Sequence, residues 1–263
     1  MIIPNIERVI PVYPEYMHVQ WSIQDPNGQA GEVEVSRSGS PEGPFIVVAN
    51  LNSDTFFYQD FDVAKGGLSQ NHWYRIRVAS KVNPDTKVFS DPGSVEFRAQ
   101  PHRFRLARKA RRDLYVTLSR LNGSIYLLLK KKRFGSRCST CFNEFTQDVL
   151  LSSCGECYGT SFAGGYHDPV SIWGKLDPTV IQQQFGMQGI TELAMLGFVT
   201  LDYPLIDLED ILVEMQTNRR FIVKQKMQTQ SSGIPVHQDL QLSELARTAI
   251  EYSIPVSLSN DSI

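Results

Sequence analysis

The chain has 263 residues, of which 41% are apolar and 21% are charged, and its formal net charge is −2. This composition excludes a disordered or fibrous chain, and the length accommodates two or three small folded domains. The longest apolar run, residues 125–129, is far too short to cross a bilayer, and the first residues lack the cationic region and apolar stretch of a targeting segment. No membrane partner is therefore expected.

The charges are unevenly distributed along the chain. Residues 101–137 contain twelve Lys or Arg and a single acid, Asp113, which gives +11; the remaining residues carry 14 basic and 27 acidic side chains, which gives −13. A basic block of this kind binds nucleic acid or an acidic protein surface, including that of a neighbouring domain or subunit.

Residues 1–98 are predicted to form a β-sandwich. Short runs rich in β-branched and aromatic residues recur, and turn sequences such as Asp25-Pro-Asn-Gly separate them. The runs are residues 17–23, 33–37, 45–48 and 73–80. In the last run, alternation places Tyr74, Ile76 and Val78 on one face of the strand.

Three features of this region resemble fibronectin type III domains. They are Trp21 in an early strand, Val35-Ser-Arg-Ser followed by Gly43-Pro-Phe, and Tyr74-Arg-Ile-Arg-Val-Ala-Ser. The resemblance covers nearly all of residues 1–98. It implies a seven-stranded sandwich with Trp21 and Tyr74 in or near the core, and a role as a spacer or a binding surface.

Residues 102–121 are predicted to form a basic amphipathic helix that ends at Asn122-Gly123. Its apolar stripe consists of Phe104, Ala107, Leu114, Leu118 and Leu121. Its cationic face consists of Arg105, Arg108, Lys109 and Arg112. The sequence leaves three roles open for this face. It is solvated or paired within the chain, it docks on an acidic protein partner, or it binds nucleic acid.

Residues 124–165 are predicted to form a zinc-ribbon module. Its first part, residues 124–133, has the pattern of a strand that leads directly towards the cysteines. The basic run at the end of this strand is a further candidate for contact with a protein interface or nucleic acid, through Lys130, Lys131 and Lys132.

The four cysteines form two pairs, Cys138-Ser-Thr-Cys141 and Cys154-Gly-Glu-Cys157, with twelve residues between them. Two residues between cysteines allow a tight turn to direct both sulfurs to one point, and two such turns complete a tetrahedral Cys₄ site for structural Zn²⁺. Gly155 and Gly159 are expected to supply positive φ angles in the second turn. Disulfides that cross between the pairs are the alternative. Catalytic zinc is not expected, because four thiolates leave no position for an activated water.

Residues 166–263 are predicted to form a β-rich domain, either a small barrel or a sandwich. His167-Asp168 has no nucleophile motif beside it and is assigned to a loop. The expected elements are short helices at residues 179–185 and 189–196, a hairpin of residues 206–215 and 221–227, and strands at residues 236–242 and 250–256.

Four segments of this domain resemble the small β-barrel neck proteins of tailed bacteriophages, which connect the portal to the tail. They are Asp207-Leu-Glu-Asp-Ile-Leu-Val-Glu-Met, Asn218-Arg-Arg-Phe-Ile-Val, Gly233-Ile-Pro-Val-His-Gln-Asp-Leu and Ile250-Glu-Tyr-Ser-Ile. The likeness covers residues 198–256. The basic helix with a Cys₄ ribbon is similar to an insertion in phage virion proteins, and fibronectin-like domains decorate such particles.

Together these likenesses imply a structural component of a tailed-phage virion that is assembled in the host cytoplasm. The expected assembly is a homo-oligomeric ring at the neck or head-tail connector, with portal, tail or baseplate proteins as partners and DNA contact within the channel. A baseplate or tail-attachment position is the second placement.

The alternative from a different class is a zinc-ribbon protein that binds nucleic acid through residues 103–112 and 130–137. The sequence contains no Gly-rich phosphate loop, paired-carboxylate setting or nucleophile motif. The chain is therefore not expected to be an enzyme.

Overall fold

The computed structural model consists mainly of β-strands and contains one α-helix. The structure describes the backbone of residues 2–12, 16–63, 72–83, 85–94, 101–143, 146, 148–149, 154–186, 189–231 and 234–256. Within these ranges it describes the side chains of all but residues 12, 101–105, 148, 149 and 178–194. Two compact units are present, residues 1–104 with 132–167 and residues 105–131 with 168–263. The predicted mainly β class is confirmed.

The strands of both units are numbered in chain order. They are β1 (Ile3–Val12), β2 (Tyr16–Gln24), β3 (Ala30–Ser38), β4 (Ile46–Leu51), β5 (Phe57–Asp60), β6 (Trp73–Ser80), β7 (Lys87–Phe89), β8 (Gly93–Ser94), β9 (Ser124–Leu129), β10 (Phe142–Asn143), β11 (Asp148–Val149), β12 (Val170–Gly186), β13 (Gly189–Leu201), β14 (Ile211–Glu214), β15 (Arg220–Ser231) and β16 (Ile234–Glu244). The helix α1 spans Pro101–Thr117.

Two antiparallel sheets form the sandwich of the first unit. One has the order β1-β2-β5, and the other has the order β4-β3-β6-β7, with β8 also paired to β6. All four runs that the sequence indicated as strands lie in these sheets, as β2, β3, β4 and β6. Several of the paired strands are not consecutive in the chain, such as β2 with β5 and β3 with β6.

The inward faces of the two sheets share one core. Trp21 enters it from β2, and Tyr74, Ile76 and Val78 enter it from β6, as the alternation predicted. The Tyr74 hydroxyl donates a hydrogen bond of 2.8 Å to Asp60 Oδ2 at the end of β5. Burial and the neighbouring carboxylate both raise the pKa of Tyr74, so this hydroxyl remains a donor.

Helix α1 is followed by one π-helical turn, Leu118–Asn122, and Gly123 then has an extended backbone conformation with φ −110° and ψ 167°. The predicted helix and its end are therefore confirmed. Ala107 and Leu118 are buried, whereas Leu121, predicted on the same apolar stripe, is 80% exposed. The wider π turn explains this difference, because it rotates Leu121 away from the stripe.

Six antiparallel strands of the second unit close into a barrel with the order β12-β13-β16-β15-β14-β9. Of the two architectures predicted for the C-terminal region, a barrel or a sandwich, the structure has the barrel. Strand β9, expected to lead into the ribbon, instead pairs with both β12 and β14 and closes the barrel. Four successive residues of β9, from Tyr126 to Leu129, are buried, which is typical of a strand covered on both faces.

The helices predicted at residues 179–185 and 189–196 are wrong. These residues belong to β12 and β13, which pair from Gly174 opposite Thr200 to Gly186 opposite Gly189, with an irregularity between Asp177 and Val180. Short apolar runs fit the helical and the strand period equally, and pairing between the two segments decides in favour of strands.

The strand predicted at residues 250–256 is also wrong, because Ile250–Ser253 forms a 3₁₀ turn. The buried Arg220 guanidinium donates to the carbonyl oxygens of Glu251 and Ile254, so the carbonyls of this segment bind a side chain instead of a neighbouring strand. The other C-terminal elements are confirmed, since β14 and β15 form the expected hairpin and β16 contains residues 236–242.

Candidate metal centre

The four cysteines lie together in the first unit, and all are buried and outside any disulfide. Their sulfurs all lie within 4.8 Å of one another. The distance is 3.8 Å between Cys138 Sγ and Cys154 Sγ, and 3.3 Å between Cys141 Sγ and Cys157 Sγ. Each of these short distances joins one C-x-x-C pair to the other, so the two turns face each other.

These distances fit a metal site. Four sulfurs at about 2.3 Å from a tetrahedral metal ion are about 3.8 Å apart. A disulfide requires a sulfur separation of about 2.05 Å, which neither pair approaches. The donor set, four thiolates and no water position, is that of a structural site.

Local backbone geometry forms each turn. Phe142 N–H donates to Cys138 O at 3.1 Å, and Tyr158 N–H donates to Cys154 O at 2.8 Å, so both turns close in the same way. Tyr158 and Gly159 follow the second pair with φ angles of 48° and 77°. The positive φ expected at Gly159 is present, whereas the one expected at Gly155 is not, because the sharp reversal comes after Cys157.

Two of the thiols differ in acidity. The backbone N–H groups of Glu156 and Cys157 donate to the sulfur of Cys154 and lower its pKa to about 7. Burial raises the pKa of Cys141. Cys154 is thus readily available as a thiolate, and a bound cation would supply the stabilisation that Cys141 needs to ionise.

The segments on either side of the cysteines pack against loops of the sandwich. His167 Nδ1 donates to Asp54 O at 2.9 Å, and Lys132 Nζ forms an ion pair with Asp54 Oδ1 at 3.2 Å. Gly28 lies so close to Ser136 that a Cβ atom at residue 28 would be 2.6 Å from Ser136 Cβ. His167 lies in a loop, as predicted, and this loop contacts the sandwich.

The other candidate residues are basic. On α1, Lys109 and Arg112 are exposed and Arg108 is half-buried, whereas the side chain of Arg105 lies outside the described residues. In the second unit, Lys130 Nζ lies 3.0 Å from Asp207 Oδ2, and Lys131 Nζ lies 2.8 Å from Glu209 Oε2. With the ion pair of Lys132 described above, all three lysines of the basic run contact an acid of this chain.

Arg111 is a buried residue of the helix with a structural role that the sequence interpretation missed. Its Nη2 lies 3.0 Å from Asp202 Oδ2, and its Nε and Nη2 both donate to Pro235 O. The spacing from Ala107 to Arg111 to Leu118 placed it on the apolar stripe, which was the available signal. The pair fixes α1 to the barrel within the second unit.

No family model matches the chain, and no curated protein matches it. Two crystal structures of pectate lyase Pel3 from Pectobacterium carotovorum, with one and with two monomers in the asymmetric unit, match part of it at 20% sequence identity. The TM-scores are 0.29 and 0.30, and each match covers 38% of this chain and 29% of the lyase chain. A likeness at this level does not support an argument about the fold.

The expectation that the chain is not an enzyme is contradicted by the two structures described above, which are both of a pectate lyase. That expectation is withdrawn. The similarity is too low to assign an activity in its place. Within the part of the chain that the structure describes, no helix has the length and apolarity needed to cross a membrane.

Proposed function

We propose that the protein is a ring-forming structural component of a tailed-phage virion, at the neck or head-tail connector, and that a structural Zn²⁺ ion stabilises its first unit. The observation that carries the ring proposal is a two-stranded arm on the barrel, formed by residues 180–186 of β12 and 189–195 of β13. The resemblance of residues 198–256 to neck proteins supports the virion placement.

The arm extends past the strands that flank it in the barrel. Strand β9 pairs with β12 only up to Gly174, and β16 pairs with β13 only from Leu196 onward. In the described strands, the arm residues pair only with each other. An isolated pair of strands is marginally stable in water, and its outer edges present backbone N–H and C=O groups that another strand can bind.

The sequence of the arm leaves these edges unprotected. Residues 178–195 contain no Lys or Arg and a single acid, Glu192. By contrast, the outer part of β15 carries Lys224 and Lys226, which is a common protection of an edge strand against association. The difference supports association through the arm.

Another copy of this chain is the partner that satisfies both edges of the arm. The β12 edge of one copy would pair with the β13 edge of the next, which is a head-to-tail contact, and such contacts close into rings when the rotation between copies permits. The placement at the neck implies a homo-oligomeric ring, so this mode of assembly agrees with the proposed placement.

The charges also favour assembly with proteins over the nucleic-acid-binding alternative. Lys130 and Lys131 contact acids of their own unit, and Arg111 contacts Asp202. These contacts neutralise part of the +11 segment internally. Lys109 and Arg112 are exposed on α1.

We also propose that the sandwich is a fibronectin type III-like domain. Its sheets of three and four principal strands, with β5 returning to β2 and β6 lying beside β3, support this assignment. So does the hydrogen bond from Tyr74 near the start of β6 to Asp60 at the preceding corner, since related sandwiches anchor a tyrosine at this corner.

The proposed zinc ion is tested by elemental analysis of protein purified under reducing conditions. One zinc per chain is expected, and Cys154→Ser is expected to lose the metal because the site then has three thiolates. Metal-free, folded protein with oxidised cysteines would contradict the proposal.

The proposed ring is tested by electron microscopy of the purified protein and by fractionation of particles from its source. Closed rings of uniform diameter and co-migration with virions are expected. A stable monomer that binds duplex DNA with a steep salt dependence would overturn the proposal in favour of the nucleic-acid-binding alternative.

A further inference from the structure

The residue before the first cysteine lies between two aromatic rings. The guanidinium carbon of Arg137 is 4.7 Å from the ring centroid of Phe142 and 4.4 Å from that of Phe162. Both distances lie within the range of a cation–π contact.

The two rings belong to different parts of the ribbon. Phe142 directly follows Cys141, the end of the first pair, whereas Phe162 lies five residues after Cys157, the end of the second pair. Arg137 is also paired with Phe162 through the backbone as an isolated antiparallel bridge. The side chain thus connects the two segments that carry the cysteines.

We infer that Arg137 is a positioning residue that closes the two C-x-x-C turns over the metal ion and sets the rate at which the ion leaves. This inference rests on the proposed zinc site. Four thiolates around a divalent ion carry excess negative charge, so a cation beside Cys138 also favours the loaded state. One turn must move away from the other before the ion dissociates, and this movement separates Arg137 from a ring.

The test measures the rate at which a chromophoric chelator removes zinc from the full chain. Arg137→Met removes the planar cation and is expected to accelerate zinc release about tenfold, as two cation–π contacts imply. Arg137→Lys keeps the charge without the planar group and is expected to be intermediate. The absorption spectrum of the Co²⁺-loaded protein should shift in Arg137→Met, because ligand positions change.

Arg75 provides a matched control. It likewise lies between two rings, 4.2 Å from the Phe45 centroid and 4.6 Å from the Phe89 centroid, but on the sandwich. Arg75→Met is expected to leave the rate of zinc release unchanged. If Arg137→Met does not fold, Phe162→Leu tests the same contact and is expected to accelerate release.

The outcomes separate this inference from the zinc proposal. A wild-type protein without bound metal would refute the zinc site and, with it, the role of Arg137. If the wild type binds one zinc, and the Arg137 and Phe162 variants release zinc at the wild-type rate, only the role of Arg137 is overturned. Equal acceleration in the Arg75 variant would also overturn it, because the effect would then be general destabilisation.

Discussion

Gly174 on β12 lies against an aromatic ring inside the barrel. A Cβ atom at this position would lie 2.0 Å from Phe198 Cζ. Phe198 is 1% exposed and packs edge-on against Tyr126, with ring centroids 4.9 Å apart, so a shift of the ring would disturb this packing. No local sequence pattern indicates this close approach, because β12 and β13 meet only in the folded chain.

Gly174→Ala is therefore expected to lower the free energy of unfolding of the barrel by about 1–3 kcal/mol through overpacking. Gly197→Ala is the control, because a Cβ there meets Asp177 Cβ at an ordinary 3.6 Å. Hydrogen exchange of barrel amides measures the free energy of unfolding of both variants. Equal stability of the two would contradict the packing argument.

Asp210 is a buried carboxyl group of the second unit. Its oxygens accept hydrogen bonds from the backbone N–H groups of Lys131, at 2.9 Å, and Asp207, at 2.7 Å. Burial nevertheless dominates and raises its pKa to about 6, although Lys130 Nζ lies 3.9 Å from Oδ2. The folded state therefore binds a proton at a pH where the unfolded chain has lost it.

The contribution of Asp210 to the free energy of unfolding of the barrel should consequently fall by up to ~3 kcal/mol as the pH rises from about 4 to about 6. Above about pH 6 this contribution should be constant. Asp210→Asn cannot ionise and is expected to lack this slope, although it is less stable overall because the amide nitrogen cannot accept a backbone N–H. Denaturant unfolding of both proteins at several pH values measures the difference. Identical slopes would show that Asp210 does not titrate in this range.

For Arg111, the position on the helix could be predicted from the sequence, but its contact partners could not. Its place on the apolar stripe follows from helical spacing, which is local. Its partners, Asp202 and Pro235, lie 91 and 124 residues further along the chain, and no local pattern indicates them.

At the scale of elements, the cysteine turns were predictable because two residues between cysteines determine their geometry locally. The strand pattern of β9 was also predictable, but its place in the barrel was not, since its partners β12 and β14 lie more than forty residues away in the chain. The strands of the arm were mistaken for helices for the same reason: their type depends on pairing between two short segments with ambiguous periodicity.

The ribbon and the sandwich meet within one unit, and this leads to a prediction about metal removal. Loops at residues 25–28 and 52–56 contact the ribbon through Gly28 and Asp54. Chelation of the metal is expected to unfold the ribbon and to raise amide exchange in these loops roughly tenfold, without affecting the barrel strands.

Hydrogen-exchange mass spectrometry before and after chelation measures this effect segment by segment. Lys132→Met serves as a milder comparison, because it removes the ion pair with Asp54 and leaves the cysteines intact. Unchanged exchange in both sandwich loops after complete metal loss would mean that the ribbon does not stabilise the sandwich.

At the scale of the whole molecule, the proposed assembly depends on a contrast between two strand edges. The arm has no cationic residue, whereas the outer edge of β15 has two lysines. New lysines on the arm should therefore prevent strand pairing between copies, because they place charge on an edge that must be desolvated.

Sedimentation velocity of three proteins tests the ring proposal most directly. The wild type is expected to sediment as one large species, and the double variant Gln182→Lys, Gln184→Lys as a monomer of 29.7 kDa. The control Gln228→Lys, Gln230→Lys places the same substitutions at the same spacing on exposed positions of β15 and should assemble like the wild type. A wild type that is monomeric at every concentration, or an arm variant that assembles as well as the control, would contradict assembly through the arm.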